Sequence, residues 1–242
     1  MTTIAGNIQQ VQARIGQACA QAGRAIGSVN LLAVSKTFGA EAVYEAAQAG
    51  QRAFGENYIQ EAIEKMAAFR AMPALPLPSS QWHCIGPIQS NKTRLVAENF
   101  DWVHTVDRLK IAERLSAQRP TNLSPLMVCI QVNVDGGATK SGVSPEGAVA
   151  LAQAVAQLPQ LCLRGVMSIP DPLSDFAQQR EVHERVCAVF RQIRAAGGEG
   201  LENFDTISLG MTADLEAAVH AGSTMVRVGS GIFGVRSYPV NG

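Results

Sequence analysis

The chain lacks an excess of either charge. Twenty basic and twenty acidic side chains cancel over 242 residues. No long basic run occurs, so a nucleic-acid partner has no electrostatic support. No apolar stretch approaches the roughly 20 residues of a membrane-spanning helix, and the N-terminus lacks the charged-then-apolar layout of a secretory signal. The five cysteines (Cys19, Cys84, Cys129, Cys162 and Cys187) form no CxxC pair. Most stand among apolar residues, where a thiol packs as a small hydrophobe. That pattern argues against structural zinc and predicts a reduced, cytoplasmic setting. His104, His183 and His220 fall in no metal-ligand spacing. Lysine is scarce, with five against fifteen arginines.

What is present is an alternation of elements. Ile4, Ile8, Val11, Ile15 and Cys19 form one apolar stripe on an opening helix that ends near Gly23. The short apolar run Leu31 to Val34 then leads into Ser35-Lys36-Thr37. Such a run reads as a buried parallel strand, with Lys36 at its C-terminal edge. Strands follow at 53–57, 82–85, 100–105, 126–134, 161–169, 204–209 and 224–228, with helices between them. Asp107 is expected to cap the helix that reaches Gln118, and Pro145 opens another at a favoured first-turn position. The proline-bearing stretch 72–80 reads as a surface loop. Strand–helix alternation selects a parallel sheet, and eight strands select a closed barrel, which commonly needs about 250 residues. An open doubly wound sheet is the alternative, but no GxGxxG opens a helix after the first strand. The expectation is one α/β domain over residues 1–242, a TIM-type (β/α)8 barrel with an extra N-terminal helix.

In such a barrel the strand C-termini gather on one face, where active sites lie. The residues at those ends are Lys36, Asn57, His83, Ser168, Met211, Thr212, Arg227, Gly229 and Ser230. Strand alternation lets Lys36 and Arg227 both point inward. A lysine in apolar surroundings loses solvation, which makes it a better amine nucleophile; the plain alternative is a lysine snorkelling into solvent. Gly229-Ser230-Gly231 after the last strand fits a phosphate-binding turn, because its backbone can approach an anion closely. Arg227 stays charged when buried and needs either a carboxylate such as Glu56 or Asp214 or a ligand acceptor. His83 is either a satisfied core histidine or a ring that stacks on an aromatic ligand. Lys140 sits in a glycine-rich loop that lacks the Walker spacing.

Six stretches together resemble one family. They are Leu32-Ala33-Val34-Ser35-Lys36-Thr37, Phe54-Gly55-Glu56-Asn57-Tyr58, Trp82 through Lys92, Lys140-Ser141-Gly142, Arg164 through Pro170 and Val226 through Gly234. The chain resembles the pyridoxal phosphate (PLP) homeostasis proteins, relatives of the N-terminal barrel of alanine racemase. The resemblance implies a fold-type III PLP barrel with Lys36 as the Schiff-base lysine. Thr212, where the family usually has serine, would hold the phosphate with Gly229 and Ser230. Asn57 would lie near the ring's polar substituents, His83 beside its face and Arg227 at the pyridine nitrogen. It also implies a cytoplasmic, monomeric carrier or regulator of PLP, without established catalysis, that serves apo PLP-dependent enzymes. Two other activities compete: an amino-acid racemase and a lysine-dependent aldolase of a sugar phosphate. Racemisation needs a second base, and the tail residue Tyr238 is a poor substitute for one. A mobile Lys140 is expected to meet PLP on its way in or out.

Overall fold

A computed structural model describes residues 3–73, 79–137 and 140–234. The chain opens with helix α1 (Ile4–Gln21), whose first turn is capped by Thr3 Oγ1 accepting from the Gly6 amide at 3.1 Å. Then come β1 (Asn30–Val34), α2 (Ala40–Gln48), β2 (Ala53–Glu56), α3 (Ile59–Arg70) and β3 (Gln81–Cys84). A single 3-10 turn at Ser90–Lys92 precedes α4 (Thr93–Asn99), β4 (Trp102–Val106) and α5 (Leu109–Gln118). The second half holds β5 (Leu126–Gln131), α6 (Pro145–Ala156), β6 (Leu161–Met167), α7 (Phe176–Ala196), β7 (Thr206–Ser208), α8 (Leu215–Ala221), β8 (Met225–Val228) and the short α9 (Ser230–Phe233).

The strands pair in sequence order, all parallel, and β8 closes on β1 through Leu32 opposite Arg227. The expected barrel and its extra helix are both present. Period-two alternation explains the layering. Ala33, Phe54, Val103, Val128, Val166 and Val226 pack outward with the helices in one large core. Leu32, Val34, Ile85 and Met225 form a separate inner cluster, and Trp102, Cys129 and Met167 another. The expected fifth strand is three residues too long: past Gln131 the chain leaves the sheet, and Val132 makes a lone parallel bridge to Val143. Asp107 does not cap α5. Arg108 holds the cap position, and the Asp107 carboxylate accepts from its guanidinium instead. Among the described residues no helix is long and apolar enough to cross a membrane.

Candidate functional site

A cavity of about 560 Å³ opens at the C-terminal ends of the strands. Seven of the nine residues singled out from sequence line it: Lys36, Asn57, Met211, Thr212, Arg227, Gly229 and Ser230. Lys36 stands half-buried in the turn that follows β1.

Arg227 is 4% exposed, within β8. Its Nη1 donates to the Ser208 carbonyl at 2.6 Å and to Ser208 Oγ at 2.8 Å; Nη2 donates to the Ser168 carbonyl at 2.9 Å. Neither Glu56 nor Asp214 makes a salt bridge with it. Burial lowers its pKa to about 10, opposed by the charge of Asp214, so the group is cationic at neutral pH. The Ser208 hydroxyl also lies 3.0 Å from His104 Nδ1, and His104 Nε2 lies 2.9 Å from His83 Nδ1. Burial pushes His83 down to about 3. It also lowers His104, with the charges of His83 and Arg227 adding to the effect. Both rings are therefore neutral, and the guanidinium is braced by uncharged groups alone.

Next to it, past the end of β8, lies a cradle of hydroxyls and glycines. Thr212 Oγ1 accepts from Ser230 Oγ at 3.2 Å and from the Gly231 amide at 3.4 Å. A Cβ on Gly231 would come within 2.9 Å of Val228 Cγ1 and 3.2 Å of Thr212 Cγ2, so a side chain there would push the two loops apart. The Met211 amide donates to Asp214 Oδ1 at 2.6 Å, and Asp214 Oδ2 lies 3.0 Å from His183 Nε2. Helix α1 ties down both loops: Arg14 Nη2 donates to the Thr212 carbonyl at 3.0 Å and Asn7 Nδ2 to the Ile232 carbonyl at 2.8 Å. On the β2 side, Asn57 Oδ1 is buried with no hydrogen-bond partner among the described residues. A Cβ on Gly86 would sit 2.2 Å from the Asn57 carbonyl oxygen, so only glycine permits this close approach of the β3 loop.

Two expected residues do not reach the cavity. His83 is 1% exposed and stacks on Trp102 with ring centroids 5.2 Å apart. It lines a different hollow, shared with Gln12, Arg52 and Gln81 near the starts of the strands. The reason is depth: Ile85, two residues further along the same face, is the side chain from this segment that lines the cavity. Ser168 is buried as well, its hydroxyl donating to the Val132 carbonyl at 2.7 Å. Its contribution is the backbone carbonyl that holds Arg227. Conversely, Val34, Phe38, Ile85 and Ile169 line the cavity and were not anticipated. Ile85 and Ile169 follow within two residues of His83 and Ser168, which is the signal that finds them. Lys140 is pinned 2.6 Å from Asp135 and 2.7 Å from Asp171, outside the cavity lining. Tyr238 lies outside the described residues. No group of three potential metal ligands is present among the described residues.

Comparison with known proteins bears on this geometry. The family described as "Alanine racemase, N-terminal domain" matches residues 4–237. The pyridoxal phosphate homeostasis protein of Vibrio cholerae is 50% identical over 242 residues, covering all of both chains. The structure of PipY from Synechococcus elongatus with PLP bound superposes with a TM-score of 0.76 at 35% identity, over 91% of this chain and all of that one. Alanine racemase from Corynebacterium glutamicum shares the fold, with a TM-score of 0.63 at 20% identity, over 96% of this chain and 60% of that one. The 50% identity to the Vibrio cholerae protein along the whole chain makes the relationship plain: this chain belongs to the pyridoxal phosphate homeostasis proteins, a family that carries the alanine racemase N-terminal domain.

Proposed function

We propose that the cavity binds pyridoxal 5'-phosphate and that the protein stores or delivers this cofactor within the cytoplasm. The observation that carries the reading is that a lysine amine, a hydroxyl–glycine cradle and an unneutralised guanidinium line one cavity. The residues present fit the group. Thr212, Gly229 and Ser230 would take the phosphate, the two hydroxyls standing 3.2 Å apart at the cavity wall. Asn57 Oδ1, buried and without a described partner, would meet a polar ring substituent. Arg227 would face the pyridine nitrogen, which accepts a hydrogen bond when unprotonated. When bound, the cofactor would supply an electrophilic aldehyde, and Lys36 would be the cavity-lining residue whose amine meets it. The PLP-bound PipY structure supports the assignment.

Holding rather than turnover is the reading the charges favour. PLP acts best as an electron sink when its pyridine nitrogen is protonated, usually beside a carboxylate. A cationic Arg227 opposes that protonation, and no carboxylate is among the described residues lining the cavity. The protein then works as a monomer, one domain over residues 1–242, whose recipients are apo PLP-dependent enzymes. The test is the absorption spectrum after adding PLP to wild type and to Lys36→Ala. A visible band present in wild type and absent in the variant is expected. No band in wild type would overturn the site, and steady Lys36-dependent racemisation of alanine or serine would overturn the holding role.

A further inference from the structure

Both peptide bonds that flank Lys36 end on one ion network that the PLP reading does not use. The Ser35 carbonyl, on the N-terminal side, accepts from Lys65 Nζ at 2.8 Å. The Thr37 amide, on the C-terminal side, donates to Glu61 Oε1 at 2.9 Å. Lys65 Nζ also lies 2.7 Å from Glu56 Oε1 and 3.2 Å from Glu61 Oε1. Ser35 Oγ donates to Glu56 Oε1 at 2.6 Å. The Lys65 side chain is 4% exposed and that of Glu56 is fully buried. An ammonium has three donors, and here three acceptors meet them.

The layout follows from the chain. Glu56 ends β2, and Glu61 and Lys65 stand four residues apart on α3, on one helix face towards the turn after β1. A buried ion pair is a poor way to gain stability, because desolvation offsets most of its attraction. Its geometry indicates another use. Thr37 has φ +71°, a left-handed backbone that a β-branched residue resists. The Glu61 bond to its amide holds it there. The backbone is thus clamped immediately before and after Lys36, while the lysine side chain extends into the cavity wall.

We propose that Lys65 and Glu61, supported by Glu56 and Ser35, are positioning residues that present the Lys36 amine to a ligand aldehyde. The proposal rests on the PLP reading and deepens it. Glu61 is the residue to change, because its side chain is 41% exposed and its loss leaves the Lys65–Glu56 pair intact. Two measurements on ligand-free full-length protein separate the roles. One is the rate at which the visible band appears on mixing with PLP. The other is affinity for 4-deoxypyridoxine phosphate, an analogue with phosphate and ring but no aldehyde. Glu61→Ala is expected to slow band formation by roughly tenfold, within the cost of misplacing a reacting group, and to leave analogue affinity unchanged. Glu61→Gln, which keeps an oxygen acceptor for the Thr37 amide, is expected to restore the rate. A Glu61→Ala band forming at the wild-type rate would overturn the positioning role and leave the PLP site standing. Equal loss of rate and analogue affinity would also overturn it, since that pattern means general damage to the cavity. If wild type forms no band, both readings fall.

Discussion

The two walls of the cavity are braced in opposite ways. Behind Lys36 the support is charged and grips the backbone: Lys65 and Glu61 hold the peptides on either side, and Glu56 anchors Lys65. Behind Arg227 the support is neutral and grips the side chain: two carbonyls and a serine hydroxyl take the guanidinium, with two uncharged histidines beyond. On the proposed reading, Lys36 is a group that reacts, and its root must be fixed. A group that presents charge needs a fixed tip and acceptors that do not cancel it. A carboxylate behind Arg227 would neutralise the charge offered to the ligand; the carboxylates behind Lys36 accept from a backbone amide, a serine and a second lysine.

The strongest way to break the contrast is Lys65→Met. It strands the fully buried Glu56 carboxylate, and an unpaired buried charge costs about 3–5 kcal/mol. Urea denaturation should show that loss, and adding Glu56→Leu should recover most of it. On the neutral wall Ser208→Ala has a smaller effect. Arg227 keeps both carbonyl acceptors, while His104 Nδ1 loses its partner, a change of about 1–3 kcal/mol in the same assay. The cradle supplies a pH test. Burial pushes the Asp214 carboxyl up, but hydrogen bonds from His183 and the Met211 amide outweigh it and hold the pKa below the usual value. A lowered folded pKa means its stabilisation is complete above the ordinary aspartate value of about 3.9 and is lost as pH falls through the lowered one. The protection of the Met211 amide against hydrogen exchange, taken relative to the intrinsic rate at each pH, should therefore fall in acid, and Asp214→Asn should remove that pH dependence. Smallest of all is Arg14→Ala. Its ion pair with Glu216 is half-exposed and worth at most about 1 kcal/mol, so stability should barely change. Inorganic phosphate should bind more weakly, because the Thr212 carbonyl loses its tether.

Much of this was legible in the chain. Alternating apolar runs with helices between them lead to the barrel, and the residues after the strands lead to most of the cavity. Height along a strand was not legible. The alternation that turns His83 inward does so equally for Ile85, and only the barrel's register shows which of them reaches the cavity. Ser168 acts through its carbonyl, which every residue type possesses. Lys65 and Glu61 have the spacing of an ordinary surface ion pair on a helix, and the burial of Lys65 beside the end of β1 depends on packing that no local pattern encodes. Arg14 and Asn7 meet the cradle from more than 190 residues away in sequence.

The charge pattern of the cavity carries one more consequence. The chain as a whole is neutral, yet the described residues lining the cavity include Lys36 and Arg227 and no acid. A doubly charged anion approaching from solvent meets a local positive potential within a molecule of no net attraction. Such a field accelerates capture, and mobile ions damp it over about 8 Å at physiological ionic strength. Loading should therefore slow as salt rises while unloading changes little, so that the ionic milieu sets how quickly the protein fills rather than how long it keeps what it holds.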